Sequence, residues 1–128
     1  MKSFMAAVLL TLAGPVLAAT PPAFSSGEQF NERSGEDLFH AICQGCHMPD
    51  ALGAHGAGAY PALAANPKLA AAAYPVYVVS HGQGGMPSFR EYLDDEQIAS
   101  VVNYVRSHFD NHFNDNVSAA DVKKISQP

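Results

Sequence analysis

The sequence predicts one small domain that is built largely on helices. Its 128 residues, 48% of them apolar, suffice for one hydrophobic core and are too few for two ordinary domains. Capping residues introduce several segments with helical spacing of apolar residues, and the stretches between them are rich in Gly, Ala and Pro. The segment YPVYVVS, residues 74–80, fits either a strand or a helix of two turns.

The first predicted helix follows Ser34, a candidate N-cap. Asp37 lies three residues later and can answer Ser34 as in a capping box. Cys43 and Cys46 are separated by about one helical turn, so the helix delivers both thiols to one side. Gly45 is a poor helix former and predicts that the regular turn ends there.

An irregular segment is expected next. Residues 49–67 are rich in Gly, Ala and Pro, which is typical of a loop that wraps a bound group rather than of a regular element. Asn66 and Pro67 then supply an N-cap and a first helical residue, so a short helix over residues 68–74 is expected.

The strongest helical signal lies near the end of the chain. Asp94 can cap this helix with Gln97 at the reciprocal position, and its acidic first turn suits the helix dipole. Ser118 and Asp121 predict a final short helix by the same arrangement. The apolar stripe of the long helix consists of Ile98, Val101, Val102, Val105 and Phe109.

The first residues, MKSFMAAVLLTLAGPVLAAT, predict export. A lone Lys2, an apolar run, the Gly14-Pro15 break and small residues behind it are typical of a secretory signal. The run is roughly half of the ~20 residues that a membrane-spanning helix needs. We therefore expect a signal peptide at residues 1–18, an N-terminal lead at residues 19–33, and no membrane span in the mature protein.

The charge balance excludes one class of partner. Seven basic and twelve acidic residues give a net charge of −5, which becomes −6 when Lys2 leaves with the signal peptide. Nucleic acid is not an expected partner, because binding phosphates requires a basic surface. A redox protein with a basic docking patch is more compatible with this charge.

Both cysteines of the chain lie in AICQGCHMPD, residues 41–50. C-x-x-C-H is the attachment signature of c-type haem, in which Cys43 and Cys46 each form a thioether and His47 comes under the iron. Three other interpretations stay open on the motif alone. Zinc would need more ligands than one cysteine pair, a redox C-x-x-C normally begins a helix after a strand, and a structural disulfide needs nothing further.

A haem at this motif requires a second axial ligand farther along the chain. The remaining methionines fall in the leader or directly beside His47, which leaves Met86 in HGQGGMPSF, residues 81–89. The glycines around it allow the backbone to approach a macrocycle closely. His55 and His81 also lie in loops and are alternative ligands.

The mature chain resembles class I monohaem cytochromes c over nearly its whole length, because CQGCH, GGMPSF and the capped long helix occur in that order. The resemblance implies an all-α fold of about four helices around one covalently attached haem, which favours a helix for residues 74–80. It also implies a cytochrome c domain at residues 34–110, followed by a C-terminal extension with a short helix at residues 111–128.

Further contacts follow from the same resemblance. Gly35 and Phe39 of the first helix should pack against Tyr104 of the long helix. The carbonyl of Pro61 looks like the group that accepts the other ring N–H of His47 and so fixes the ring's tautomer and orientation.

The stretches ANP, GQGGMPSF and VVNYVRSHF are similar to cytochrome subunits of periplasmic alcohol, sugar and aldehyde dehydrogenases. This resemblance implies a periplasmic electron carrier without catalytic residues, which links a dehydrogenase to a cytochrome or terminal oxidase. A haem sensor or peroxidase with an open iron position and a thiol-disulfide oxidoreductase are the alternatives. An acidic cluster beside Met86 either caps the long helix or assists docking, and it consists of Glu91, Asp94, Asp95 and Glu96.

Overall fold

A computed structural model describes residues 29–127 of the chain. The predicted signal peptide and most of the N-terminal lead lie outside these residues. Within them, no helix is both long and apolar enough to cross a membrane. The elements are α1 (Gly35–Leu38), a π-helical turn (Phe39–Cys43), α2 (Gln44–His47), β1 (Ala54–His55), β2 (Ala59–Tyr60), a 3-10 helix (Pro67–Ala70), α3 (Ala73–His81), α4 (Asp95–Ser107) and α5 (Ala119–Ile125).

The all-α prediction is confirmed for this part of the chain. α1, the π-helical turn and α2 are contiguous and form one helical segment, and α3, α4 and α5 are the other three α-helical segments of the described residues. The two strands are only two residues long and pair with each other. The buried side chains from these helices form one hydrophobic core, as the chain length predicts.

The first helical segment crosses α4 where Gly35 allows the closest approach. A Cβ at this position would lie 2.2 Å from the carbonyl oxygen of Ser100 and 2.6 Å from the Cβ of Tyr104. Phe39 is fully buried beside this crossing, with its ring centroid 5.9 Å from that of Tyr104 and 4.7 Å from that of Phe109. The predicted contact between the first helix and the long helix is therefore confirmed.

The predicted helix caps form. The Ser34 hydroxyl accepts a hydrogen bond of 3.1 Å from the backbone N–H of Asp37. The return bond differs from a full capping box, because the Asp37 carboxylate accepts from the Ser34 hydroxyl at 2.6 Å. In α4 and α5 both halves of the predicted capping boxes are present. These caps satisfy N–H groups that have no partner inside the helix.

Two expectations for the first half of the chain were wrong. Gly45 lies inside α2, and the helix ends two residues later than expected, before Met48, which adopts a φ of 67°. The interior of residues 49–67 is not entirely irregular, because β1 and β2 pair there with Ala54 opposite Tyr60. In both places backbone hydrogen bonds form in spite of the glycines, from the N–H of Met48 to the carbonyl of Gln44 and between β1 and β2.

The second half differs from the expectations at two helix boundaries. Asn66 caps a helix as predicted, but this helix is of the 3-10 type and covers Pro67–Ala70 rather than residues 68–74. The ambiguous segment 74–80 is helical and belongs to α3, as the family resemblance implied. Phe109 lies beyond the end of α4 with a φ of 56°, so it reaches the core from the turn instead of from the helical stripe.

Residues 111–127 pack against the helices that precede them. The amide of Asn103 in α4 donates to the carbonyl of Val117 at 2.9 Å and accepts from its N–H at 2.8 Å. The hydroxyl groups of Ser80 and Ser126 lie 2.9 Å apart, and Val122 of α5 is fully buried. The extension therefore contributes side chains to the same core.

Candidate haem site

The first helical segment carries the two thiols. The π-helical turn Phe39–Cys43 lies directly before α2. Such turns are rare and occur frequently at functional sites, where the wider turn changes the direction of the side chains that follow. Cys43 is partly buried, Cys46 is exposed, and both are free thiols. Their spacing places them on one side of the helix, as two bonds to one porphyrin require.

His47 is buried and its ring is fixed by one hydrogen bond. Its Nδ1 lies 2.8 Å from the carbonyl oxygen of Pro61, and the residue is 7% exposed. A carbonyl oxygen can only accept, so the proton of a neutral ring sits on Nδ1. Nε2 then keeps its lone pair for a metal, and the hydrogen bond makes this nitrogen more basic. The contact that the resemblance implied for Pro61 is present.

The backbone around Pro61 is held by an unusually close crossing. The N–H of Gly53 donates to the carbonyl of His47 at 3.0 Å. Gly53 has a φ of 69°, and a Cβ there would lie 2.2 Å from the carbonyl oxygen of Tyr60 and 2.8 Å from the carbonyl carbon of Pro61. The carbonyl of Ala51 accepts from the backbone N–H groups of Leu63 and Ala64, which follow Pro61, at 2.8 and 3.0 Å. Glycine is therefore required where the two chain segments meet.

Met86 lies in a short hairpin turn. Gln83 and Met86 exchange two backbone hydrogen bonds of 3.0 Å each, with the two remaining residues of the turn between them. Gly84 adopts a φ of 59° inside this turn. Gly82, with a φ of 76°, lies so close that a Cβ would be 2.6 Å from the carbonyl oxygen of Met86. The glycines of the motif thus serve a compact turn that presents a half-buried Met86.

Bonds to α3 hold the far end of this turn. The Ser88 hydroxyl donates to the carbonyl of Ser80 at 2.6 Å, and the N–H of Phe89 donates to the carbonyl of Val79 at 3.0 Å. Ser80 is buried, so this anchor lies inside the fold. The position of Met86 is consequently set by the protein's own hydrogen bonds.

The alternative ligands occupy different surroundings. His55 is exposed in the small hairpin. His81 ends α3, where its ring stacks on Tyr77 with centroids 4.3 Å apart and its Nδ1 lies 3.1 Å from the carbonyl oxygen of Tyr77. Met86, in contrast, lies in a turn closed by two backbone hydrogen bonds with Gln83 and is half-buried.

The thiol chemistry of Cys43 does not suit disulfide exchange. Burial raises the pKa of the Cys43 thiol to about 12, so this group is protonated at neutral pH. Disulfide oxidoreductases need a thiolate with a lowered pKa, which is favoured at the start of a helix. Here the pair lies toward the end of a helical segment. Within residues 29–127, no three His, Cys, Asp or Glu side chains are grouped as a zinc site would need.

Two residues of the acidic cluster, Asp94 and Asp95, form contacts with nearby groups. Asp94 caps α4 and forms an ion pair with Arg33. The backbone N–H of Gln97 and the guanidinium of Arg33 lower the pKa of the Asp94 carboxyl. Asp95 pairs with Arg90. The capping role is thus present in the structure.

Two polar residues that matter for the architecture were not predicted from the sequence. Arg106 is fully buried and donates to the carbonyl of Leu69 at 2.9 Å and to a carboxylate oxygen of Asp115 at 2.7 Å. Asn111 is 2% exposed and joins the turn after α4 to the segment after Pro61. The signal for Arg106 was its place four residues after Val102, on the buried face of α4.

The residues present fit a covalently bound haem. Two free thiols lie on one side of a helix, the adjacent histidine has a free Nε2, and a methionine is presented by a glycine turn. This set of donors combines the groups that attach a c-type haem with those that ligate its iron.

Residues 30–105 match the family model described as "Cytochrome C oxidase, cbb3-type, subunit III". The chain belongs to the cytochrome c family. This cytochrome is 33% identical to cytochrome c6 of Picosynechococcus sp., over 88% of its own length and 98% of that relative. The cofactor of the family is covalently bound c-type haem and its function is electron transfer, so the cofactor prediction is confirmed.

Two larger relatives are named as parts of dehydrogenases. This cytochrome is 29% identical to the cytochrome c subunit of alcohol dehydrogenase (quinone) from Gluconobacter oxydans, over 83% of the chain and 24% of the relative. It is 31% identical to the fructose dehydrogenase cytochrome subunit of Gluconobacter japonicus, over 84% of the chain and 27% of the relative. The chain thus spans about a quarter of the length of these two subunits.

Proposed function

We propose that this cytochrome is a periplasmic electron carrier in which Cys43 and Cys46 hold the haem and His47 and Met86 ligate its iron. The hydrogen bond between His47 and the carbonyl of Pro61 carries the proposal. Because this bond uses Nδ1, it leaves Nε2 of His47 free for a metal. His47 directly follows Cys46, the second thiol.

The chain's own contribution is to hold both proposed ligands in place. His47 is buried with a fixed ring, and the hydrogen-bonded turn holds Met86. When bound, a haem iron with His and Met ligands supplies one-electron chemistry at a raised reduction potential. With both axial ligands supplied by protein, no substrate needs to reach the metal and no acid-base side chain is required.

The proposed donor is a periplasmic dehydrogenase and the proposed acceptor is a cytochrome or terminal oxidase. The names of the two dehydrogenase relatives support the donor class. The leader pattern of residues 1–18 supports export, and the acidic net charge supports fast, weak encounters with basic docking surfaces.

The ligand assignment is tested with a matched pair of methionine variants. The wild-type protein should carry one covalent haem by intact mass, show sharp low-spin bands when reduced, and bind no carbon monoxide. Met86→Ala should lower the reduction potential on the order of 0.1 V and open the iron to carbon monoxide. Met48→Ala should keep the wild-type spectrum. Met48 directly follows His47 in the chain and is therefore too close to this ligand to supply the second one.

Other results would favour the alternative functions. Carbon monoxide binding by the wild-type protein would favour a sensor or peroxidase. A colourless protein with two titratable thiols would favour a thiol-disulfide oxidoreductase. An unchanged spectrum in Met86→Ala would remove Met86 from the site, and the His81→Ala and His55→Ala variants would then identify the second ligand.

The donor class is tested by reduction. The oxidised carrier is mixed with a periplasmic extract, and alcohols, sugars and aldehydes are added one at a time while the reduced haem bands are followed. Reduction that depends on one substrate class identifies the dehydrogenase. Reduction that occurs without any of these substrates would contradict a dehydrogenase as donor.

A further inference from the structure

Asn111 is a buried amide with all of its hydrogen bonds directed at two chain segments. Its Nδ2 donates to the carbonyl of Leu63 at 2.8 Å and to the carbonyl of Val105 at 2.9 Å. Its Oδ1 accepts from the backbone N–H of Asn66 at 2.9 Å. One side chain thereby joins the end of α4 to the segment that begins at Pro61.

The turn that carries Asn111 is built for this contact. Phe109 and Asp110 both adopt left-handed backbone conformations, with φ of 56° and 60°. Such conformations are uncommon for residues other than glycine and persist where the surrounding structure enforces them. The carbonyl of Phe109 also accepts from the N–H of Ala65 at 2.9 Å, so the turn contacts the same segment twice.

The contact continues along the segment toward Pro61. The side chain of Asn66 donates to the carbonyl of Ala62 at 2.7 Å, and the N–H of Leu63 donates to the carbonyl of Ala51 at 2.8 Å. These bonds hold the residues directly after Pro61. The Pro61 carbonyl, which accepts the ring N–H of His47, thus belongs to a segment that is held from the side of α4 as well as by the crossing at Gly53.

We propose that Asn111, acting with Asn66, is a positioning residue that sets the hydrogen bond between Pro61 and His47. This inference rests on the proposed function, since it concerns the residue that ligates iron there. Through that bond Asn111 controls the orientation and basicity of the His47 ring. A side chain in the turn after the last helix of the predicted cytochrome domain therefore influences the reduction potential.

Asn103 provides a control of the same residue type. Like the amide of Asn111, its side-chain amide bonds to backbone groups, which here are the N–H and carbonyl of Val117 in the C-terminal extension. It makes no hydrogen bond to the segment that follows Pro61. Asn111→Ala and Asn103→Ala each remove hydrogen bonds between a side-chain amide and backbone groups. Only Asn111→Ala removes such bonds from the segment that follows Pro61.

The test compares these two variants with the wild-type holoprotein. The readouts are the solvent exchange of the His47 ring Nδ1–H by NMR in the reduced state, the reduction potential, and global stability. In Asn111→Ala we expect exchange to be at least about 10-fold faster, because the ring loses a fixed acceptor. We also expect a higher potential, because a less basic ring stabilises the ferric state less. Asn103→Ala should lower global stability and leave both other readouts at wild-type values.

Equal changes in both variants would reduce Asn111 to a structural role and overturn the proposal, as would unchanged exchange and potential in Asn111→Ala. If Asn111→Ala does not fold, Asn66→Asp replaces it. This substitution removes the donor to Ala62 while it keeps the oxygen that accepts from the N–H of Lys68. Failure of the proposed function would be visible separately, in the wild-type spectrum and in Met86→Ala.

Discussion

Gly53 allows the close backbone crossing that lies next to His47 and Pro61. Its left-handed φ and its contact with the carbonyl groups of Tyr60 and Pro61 leave no room for a Cβ. The crossing of these backbones brings the Pro61 carbonyl to His47, and hence the ring depends on a residue that never touches it.

Replacing Gly53 should therefore be costly. We expect Gly53→Ala to lower the free energy of unfolding by about 2–4 kcal/mol, from the left-handed backbone and from the collision with backbone atoms. Denaturant unfolding measures this loss. Gly58→Ala is the matched control in the same loop, because nothing lies within 4 Å of its Cβ position. An equal effect of both substitutions would contradict the crossing.

Helix α4 is the element that organises the chain. Its capping box begins with Asp94, and the buried side chain of Gln97 also donates to the carbonyls of Phe30 and Glu32 at 2.7 and 2.9 Å. The same helix crosses α1 at Gly35. The cap therefore fixes both the start of α4 and the N-terminal lead beside it.

The cap of α4 should make stability depend on pH. The N–H of Gln97 lowers the pKa of the Asp94 carboxyl below its ordinary value of 3.8. The charged cap therefore stabilises the fold fully above about pH 4, and this stabilisation is lost as pH falls through the lowered pKa. Asp94→Asn keeps an accepting oxygen but cannot titrate. Its loss of stability between pH 6 and pH 3 should be smaller than that of the wild type, and equal losses in thermal unfolding would exclude this carboxylate.

At the scale of the whole molecule, Arg106 of α4 joins the 3-10 helix to the C-terminal extension. From α4 it donates to the carbonyls of Leu69 and Ala70 in the 3-10 helix and to Asp115 of the extension. The guanidinium group also lies 5.8 Å from the ring centroid of Phe113. A fully buried charge with this many partners is stabilised only when all the parts are in place.

The two ends of this ion pair should respond differently to substitution. Arg106→Leu leaves the carbonyls of Leu69, Ala70 and Asp115 without this donor and should lower the free energy of unfolding by about 3 kcal/mol. Asp115→Ala should cost clearly less than Arg106→Leu, because the Asp115 side chain is 73% exposed and the backbone acceptors of Arg106 remain. Chemical denaturation of both variants measures the difference, and a larger loss in Asp115→Ala would show that the carboxylate dominates.

Local signals accounted for most of the elements and for the proposed ligands. The caps at Ser34, Asp94 and Ser118 acted within a few residues, so the sequence could reveal them. The spacing of the two cysteines and His47 was equally readable, because the chemistry of haem attachment dictates it. Met86 was proposed because the other methionines lie in the leader or directly beside His47. The Pro61 contact came only from the resemblance to a family.

The sequence by itself determined the helices with strong caps, the haem motif and the family. The tertiary structure decided where Gly45 and Phe109 lie relative to helix ends, and it placed the extension on α3 and α4. It alone revealed Asn111, whose partners Leu63 and Asn66 lie 48 and 45 residues away. Bonds between such distant residues leave no periodic pattern in a sequence, because they depend on how the helices pack and not on local backbone preference.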